Sequence, residues 1–74
     1  MENKVIGILS HYTEVKPEEI TVDSELIADL AFNSLDVVNA VVEFEDEFDL
    51  EIPDEDIQKL KTVNDIVMYI NNHN

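Results

Sequence analysis

The chain has 74 residues, 45% of them hydrophobic, and a formal net charge of −14 from 18 acidic side chains against four lysines. That length accommodates one small domain, and the apolar content is too high for an intrinsically disordered chain. The charge argues against nucleic acid as a partner and predicts partners with lysine and arginine, while the lack of cysteine fits a reduced, cytoplasmic setting.

The first apolar stretch, Val5–Leu9, is too short for the core of a signal peptide. No segment approaches the roughly 20 apolar residues of a membrane span, so we expect a soluble chain without membrane insertion. The spacing of this region predicts a first helix over Asn3–Glu14, ended by Pro17. Its predicted apolar side consists of Val5, Ile6, Leu9, Tyr12 and Thr13.

The segment 16–33 has no sustained periodicity and is predicted to be a long loop. Loops of this length in a compact domain are uncommon and usually functional, although a plain connector across one end of a bundle has the same appearance. Five apolar residues are expected to anchor it to the core: Ile20, Val22, Leu26, Ile27 and Leu30.

A second helix is predicted to begin at Asn33 or Ser34 and to run to Phe48, because either residue can cap exposed backbone amides. On spacing alone, Ser34 is an N-cap. At 100° per residue, one face of this helix is predicted to enter the core. That face consists of Val37, Val41, Phe44 and Phe48.

The opposite face of the second helix is also apolar near its start, which is unusual for a soluble monomer unless a partner docks there. The alternative is a set of scattered surface apolar residues, which is common. The apolar members are Leu35, Val38 and Val42, and the polar residues around them are Asp36, Asn39, Glu43, Glu45 and Asp46.

Two more helices are predicted after Pro53. A short third helix opens at Asp54 and runs through Ile57 and Leu60, and a fourth follows Thr62, which forms a capping box with Asp65. The fold class is therefore all-α. We expect one domain over residues 1–74, a small four-helix bundle with a long loop between helices 1 and 2 and a short third helix.

The side chains indicate no catalytic machinery. His11 and His73 lack the spacing of a metal or triad site. Gly7 is the single glycine, which excludes a glycine-rich phosphate loop. An EF-hand loop is also excluded, because its central glycine is missing. We therefore expect no metal and no enzyme. Ser34 remains, at a helix start where backbone amides and the helix dipole favour a negative group such as a phosphodiester.

The run Asp29-Leu30-Ala31-Phe32-Asn33-Ser34-Leu35-Asp36 resembles D-L-G-x-D-S-L-D, the attachment motif of acyl carrier proteins. The acidic segment 45–54 and the closing segment 62–70 are similar to the same family in register. The resemblance implies a four-helix bundle with 4′-phosphopantetheine on Ser34. It also implies a carrier that presents fatty-acyl thioesters to separate biosynthetic enzymes, after a transferase has installed the arm.

The same resemblance implies that Leu35, Val38 and Val42, with the acids around them, form the face that meets basic docking patches on those enzymes; we expect the carrier to be a monomer. Three positions depart from the family pattern: Ala31 replaces glycine, Asn33 replaces aspartate, and Asn39 stands where many members have glutamate. A specialised carrier for polyketide, peptide or other acyl cargo is therefore an alternative. In a different class, the chain would be an unmodified acidic protein-interaction module.

Overall fold

A computed structural model describes residues 2–73 of the chain. Within them, an isolated antiparallel bridge between Glu25 and Thr62 is the only extended pairing. No helix in this part of the chain is both long enough and apolar enough to cross a bilayer. The prediction of an all-α bundle with a short third helix is confirmed. The helices are α1 (Glu2–Leu9), α2 (Ser34–Phe48), α3 (Asp54–Ile57) and α4 (Val63–Asn72).

The first helix ends earlier than its apolar spacing predicts. α1 stops at Leu9 and tightens into a 3₁₀ turn over Ser10–Tyr12, after which Thr13 is extended at φ −136° and ψ 156°. The Thr13 hydroxyl donates to the backbone carbonyl of Leu30 at 2.8 Å, which directs the chain toward the long loop. The predicted continuation of the helix to Glu14 was therefore wrong, because a tertiary hydrogen bond outweighs a weak local preference.

The long loop is anchored by apolar side chains, but Ile27 is not one of them. Its side chain is 68% exposed, whereas Leu26 and Leu30 are buried. The amides of Asp29 and Leu30 both donate to the carbonyl of Glu25, at 2.9 and 3.1 Å. In this helix-like turn, Leu26 and Leu30 are four residues apart and lie on the same buried side, whereas Ile27 points away from it. The prediction for Ile27 was wrong for this reason, while Ile20 is buried and Val22 is partly buried as expected.

α2 forms the main wall of the core. Val41 and Phe44 are buried and Val37 and Phe48 pack beside them, as the spacing predicts. α1 contacts both α2 and α4, so the core lies between these three helices. α2 ends at Phe48 and is capped by Asp49, whose left-handed backbone (φ 53°) lets its amide donate to the carbonyl of Glu45.

α4 begins with a capping box, and one of its side chains is hydrogen-bonded to α3. The predicted capping box is present: Thr62 Oγ1 accepts from the Asp65 amide at 3.1 Å, and Asp65 Oδ2 accepts from the Thr62 amide at 3.1 Å. From the middle of α4, the Tyr69 hydroxyl donates to Asp56 Oδ2 at 2.8 Å. This bond holds the four-residue α3 against the bundle, since so short a helix is marginal by itself.

Candidate functional site

The start of α2 is capped by Asn33 rather than by Ser34. Asn33 is extended (φ −98°, ψ 178°), and its Oδ1 accepts from the Asp36 amide at 2.8 Å. Asp36 Oδ2 in turn accepts from the Asn33 amide at 3.2 Å, which completes a capping box. The prediction from spacing that Ser34 is the N-cap was wrong. Ser34 is the first helical residue, and its hydroxyl is not used for capping.

Ser34 differs from the other serines in what its hydroxyl does. The chain has three serines. Ser10 donates to the carbonyl of Gly7 at 2.7 Å, and Ser24 accepts from the amide of Thr21 at 3.0 Å. The hydroxyl of Ser34 is exposed and makes no hydrogen bond with residues 2–73. Its oxygen is therefore available for modification without the loss of an internal bond.

The backbone around Ser34 suits a phosphodiester. The first amides of a helix have no intrahelical partner, and the capping box satisfies only that of Asp36 within this turn. The amides of Ser34 and Leu35 have no acceptor among the described residues. Free amides at the positive end of a 15-residue helix stabilise an anion attached there, so the residues present fit the linkage of a phosphopantetheine arm.

The loop before Ser34 is held in a fixed path. The amide of Phe32 donates to the carbonyl of Leu26 at 2.9 Å, and the buried Phe32 ring meets the ring of Tyr12 edge-on at 6.2 Å between centroids. Ala31, which directly precedes Phe32, has a positive φ of 58°. That conformation favours glycine, because a Cβ crowds the following carbonyl. This backbone conformation explains why the attachment motif has glycine at this position. Ala31 adopts the same conformation at a cost in free energy.

A groove opens beside Ser34, between α2 on one side and the long loop and α3 on the other. Its volume is about 750 Å³, within the usual range for small-molecule sites. The apolar lining includes the buried Leu26 and Leu60 and the half-buried Val37 and Ile57. The polar lining residues are all exposed, so they form the rim: Glu25, Ser34, Asp54, Gln58 and Lys61. An apolar chain attached at Ser34 would find an apolar floor within reach.

The residues predicted to bind partners fall into two groups in the structure. Leu35, Val38 and Val42 are 66%, 46% and 52% exposed, and Asn39 and Asp46 are exposed beside them. These five side chains share the outward face of α2. The other three predicted residues are half-buried carboxylates, each with an internal partner: Asp36, Glu43 and Glu45.

The internal partners of these carboxylates come from three parts of the chain. Asp36 accepts from the Asn33 amide in the capping box. Glu43 accepts a hydrogen bond from the Tyr12 hydroxyl and lies 3.5 Å from Nδ1 of His11. Glu45 Oε2 accepts from the amide of Ile52 at 2.8 Å. Sequence reasoning missed the roles of Tyr12 and His11 at this face, because no local spacing connects residues about 30 positions apart.

Two tyrosines titrate abnormally because of these contacts. The hydrogen bond to Glu43 raises the pKa of Tyr12, and burial and the charges of Glu43 and Asp36 act in the same direction. Burial, followed by the hydrogen bond to Asp56, raises the pKa of Tyr69 to about 12. Both hydroxyls therefore remain protonated donors at neutral pH. Within residues 2–73, no three side chains of the metal-ligating types come together to hold an ion.

Comparison with known sequences decides the family. The sequence model of the family described as phosphopantetheine attachment site matches residues 3–70. An acyl carrier protein of Bdellovibrio bacteriovorus is 46% identical over 67 residues, covering 90% of this chain and 86% of the relative. One from Akkermansia muciniphila is 43% identical over 70 residues, covering 95% and 88%.

The chain belongs to the acyl carrier protein family. A solved structure of the acyl carrier protein from Enterococcus faecalis matches it with a TM-score of 0.85 at 36% identity, covering 99% of this chain and 92% of that one. The resemblance noted in the sequence is thereby confirmed. As a member, the chain carries acyl groups as thioesters on a phosphopantetheine arm. Members of this family work with a transferase and with acyl-processing enzymes.

Proposed function

We propose that Ser34 is the attachment residue and that the chain presents fatty-acyl intermediates, as thioesters on its 4′-phosphopantetheine arm, to separate biosynthetic enzymes. The observation that carries this proposal is the free, exposed hydroxyl of Ser34 at the first residue of α2, in the run 29–36 that resembles the attachment motif of the family. The amides of Ser34 and Leu35 would stabilise the phosphodiester there.

The chain's own residues position and shelter the cargo. The bound arm supplies a terminal thiol, which holds the acyl group. The groove lined by Leu26, Val37, Ile57 and Leu60 would receive an apolar chain and reduce its contact with water. The catalysis belongs to the partner enzymes. We propose that residues 1–74 act as one monomeric, cytoplasmic carrier domain, whose net charge of −14 attracts enzymes with basic surfaces.

A dedicated carrier for another acyl cargo, such as a polyketide or peptide intermediate, is a second candidate. The exposed side-chain amides of Asn33 and Asn39 favour this second candidate, because they stand where the family pattern has carboxylates. The attachment chemistry at Ser34 would be the same in both cases. The two candidates differ only in the acyl group and the enzymes that load it.

The test is modification by coenzyme A and a broad-specificity transferase, followed by the intact mass of the protein. We expect the wild type to gain one phosphopantetheine and Ser34→Ala to gain none. Ser24→Ala is the matched control, since it also removes a serine hydroxyl but should be modified normally. Modification of Ser34→Ala would refute the assigned site. A wild type that several transferases leave unmodified would favour an unmodified acidic interaction module.

A further inference from the structure

One lysine stands on the rim of the groove beside Ser34. Within residues 2–73, Lys61 is the only positively charged residue that lines this groove, and its side chain is exposed. It follows α3 and directly precedes Thr62, the cap of α4, so it belongs to the wall opposite α2. Only four residues of the chain are lysine and none is arginine, so the position of this cation is informative.

The backbone of Lys61 is held by hydrogen bonds on both sides. Its amide donates to Asp65 Oδ2 at 3.0 Å, and its carbonyl accepts from the Leu26 amide at 2.9 Å. The adjoining bridge between Glu25 and Thr62 fixes the same junction of the long loop with α4. The side chain therefore starts from a fixed point on the groove wall, and only its own four-carbon stem is flexible.

The ammonium group of Lys61 has no ion pair among the described residues, although Glu25 and Asp54 lie on the same rim. Lys59, two residues earlier, differs in this respect, because its Nζ lies 3.8 Å from Asp56 Oδ1. The charge of Lys61 is therefore available to an anion that enters the groove from the side of α2.

We propose that Lys61 binds the phosphodiester of the arm attached to Ser34, an inference that rests on the proposed attachment there. The phosphodiester is an anion at neutral pH, and it is added to a chain with a net charge of −14. The free amides of Ser34 and Leu35 stabilise it from α2, and Lys61 stabilises it from the opposite wall. A phosphate held between the two walls directs the rest of the arm toward the apolar floor of the groove.

The contact is weak enough for a partner enzyme to break. Water and salt screen an ion pair between an exposed lysine and an anion, so the pair biases the position of the arm without locking it. An enzyme that withdraws the acyl group from the groove loses little when Lys61 separates from the phosphate. Lys61 is thus a positioning residue for the arm and takes no part in the acyl chemistry.

The test compares the reactivity of the lysine amines before and after phosphopantetheine is attached to Ser34. Trace reductive methylation with formaldehyde labels each lysine through its unprotonated amine, and tandem mass spectrometry reads each position separately. At low salt, we expect loading to slow the labelling of Lys61 about two- to threefold, the size of an exposed ion pair, and to leave Lys59 unchanged. Lys59 is the matched control in the same molecule, because it is also exposed but does not line the groove.

Phosphorus NMR reports the same contact from the phosphate. Lys61→Gln should shift the phosphodiester resonance of the loaded protein, whereas Lys59→Gln should leave it in place. Equal labelling of Lys61 before and after loading would overturn the inference. Protection that persists at about 1 M salt would also overturn it, because the arm would then cover the amine without pairing with it.

In both of these outcomes Ser34 still carries the arm, so the proposed function stands. A wild type that accepts no phosphopantetheine after exhaustive incubation would instead refute the proposed function, and this inference with it.

Discussion

The Tyr12 hydroxyl donates a hydrogen bond to the carboxylate of Glu43, 31 residues further along the chain. The bond joins the 3₁₀ turn after α1 to the middle of α2. The ring of the same tyrosine meets Phe32, two residues before Ser34, edge-on. Tyr12 therefore connects α2 to the loop that leads to Ser34, the proposed attachment residue.

Tyr12→Phe tests the strength of this connection. The substitution retains the ring contact with Phe32 and removes a hydrogen bond to a charged acceptor. We expect the free energy of unfolding to fall by about 1 kcal/mol, because the pair is only partly buried. Urea denaturation measures the change. His11→Gln, at the exposed end of the same cluster, should cost less than about 0.5 kcal/mol. Equal stability of Tyr12→Phe and wild type would show that the bond contributes nothing.

Ala31→Gly should stabilise the protein. Ala31 has a φ of 58°, where its Cβ is strained and glycine is not. We expect the free energy of unfolding to rise by about 1 kcal/mol, net of the added freedom of the unfolded chain. Ala28→Gly is the matched control in the same loop, because Ala28 lacks a positive φ and should lose about 0.5 kcal/mol. Destabilisation by both substitutions would mean that residue 31 is not strained.

Asn33 variants separate the capping role of this residue from its lack of charge. Asn33→Ala removes the acceptor for the Asp36 amide and should cost about 1 kcal/mol. Asn33→Asp retains an acceptor and adds negative charge at the start of α2, so stability should stay level or rise by about 0.3–1 kcal/mol. Melting temperatures at low and moderate salt measure both effects. An Asn33→Ala protein as stable as the wild type would rule out a contribution from the capping box.

Stability should fall in strong alkali because of Tyr69. Its pKa is raised from 10.0 to about 12 in the folded state, so folding favours the protonated hydroxyl that donates to Asp56. This contribution is complete below pH 10 and is lost as the pH rises through 12. Urea denaturation between about pH 9 and 12 should show the decline in a Tyr12→Phe background, where Tyr69 is the only tyrosine. Adding Tyr69→Phe should remove the decline, and an unchanged slope would contradict this account.

Local interactions explain why much of the fold was predictable from the sequence. The bounds of α2, its buried face and the Thr62–Asp65 capping box depend on residues three or four positions apart, and a sequence displays those spacings directly. One error arose from a distant contact and another from a local turn that the spacing did not reveal. The carbonyl of Leu30 draws Thr13 out of the first helix, and the turn at Glu25 directs Ile27 outward.

The sequence by itself determined the family and the attachment motif, because both are carried by residue identity at fixed spacing around Ser34. The sequence left Asn33 and Ser34 as alternative caps, and only the structure decided that Asn33 is the cap and that the Ser34 hydroxyl is left free. It also decided which carboxylates of α2 accept internal hydrogen bonds, since the donors for Glu43 and Glu45 come from Tyr12 and Ile52. A spacing pattern shows that a carboxylate is present, but which donors it meets depends on what the folded chain places beside it.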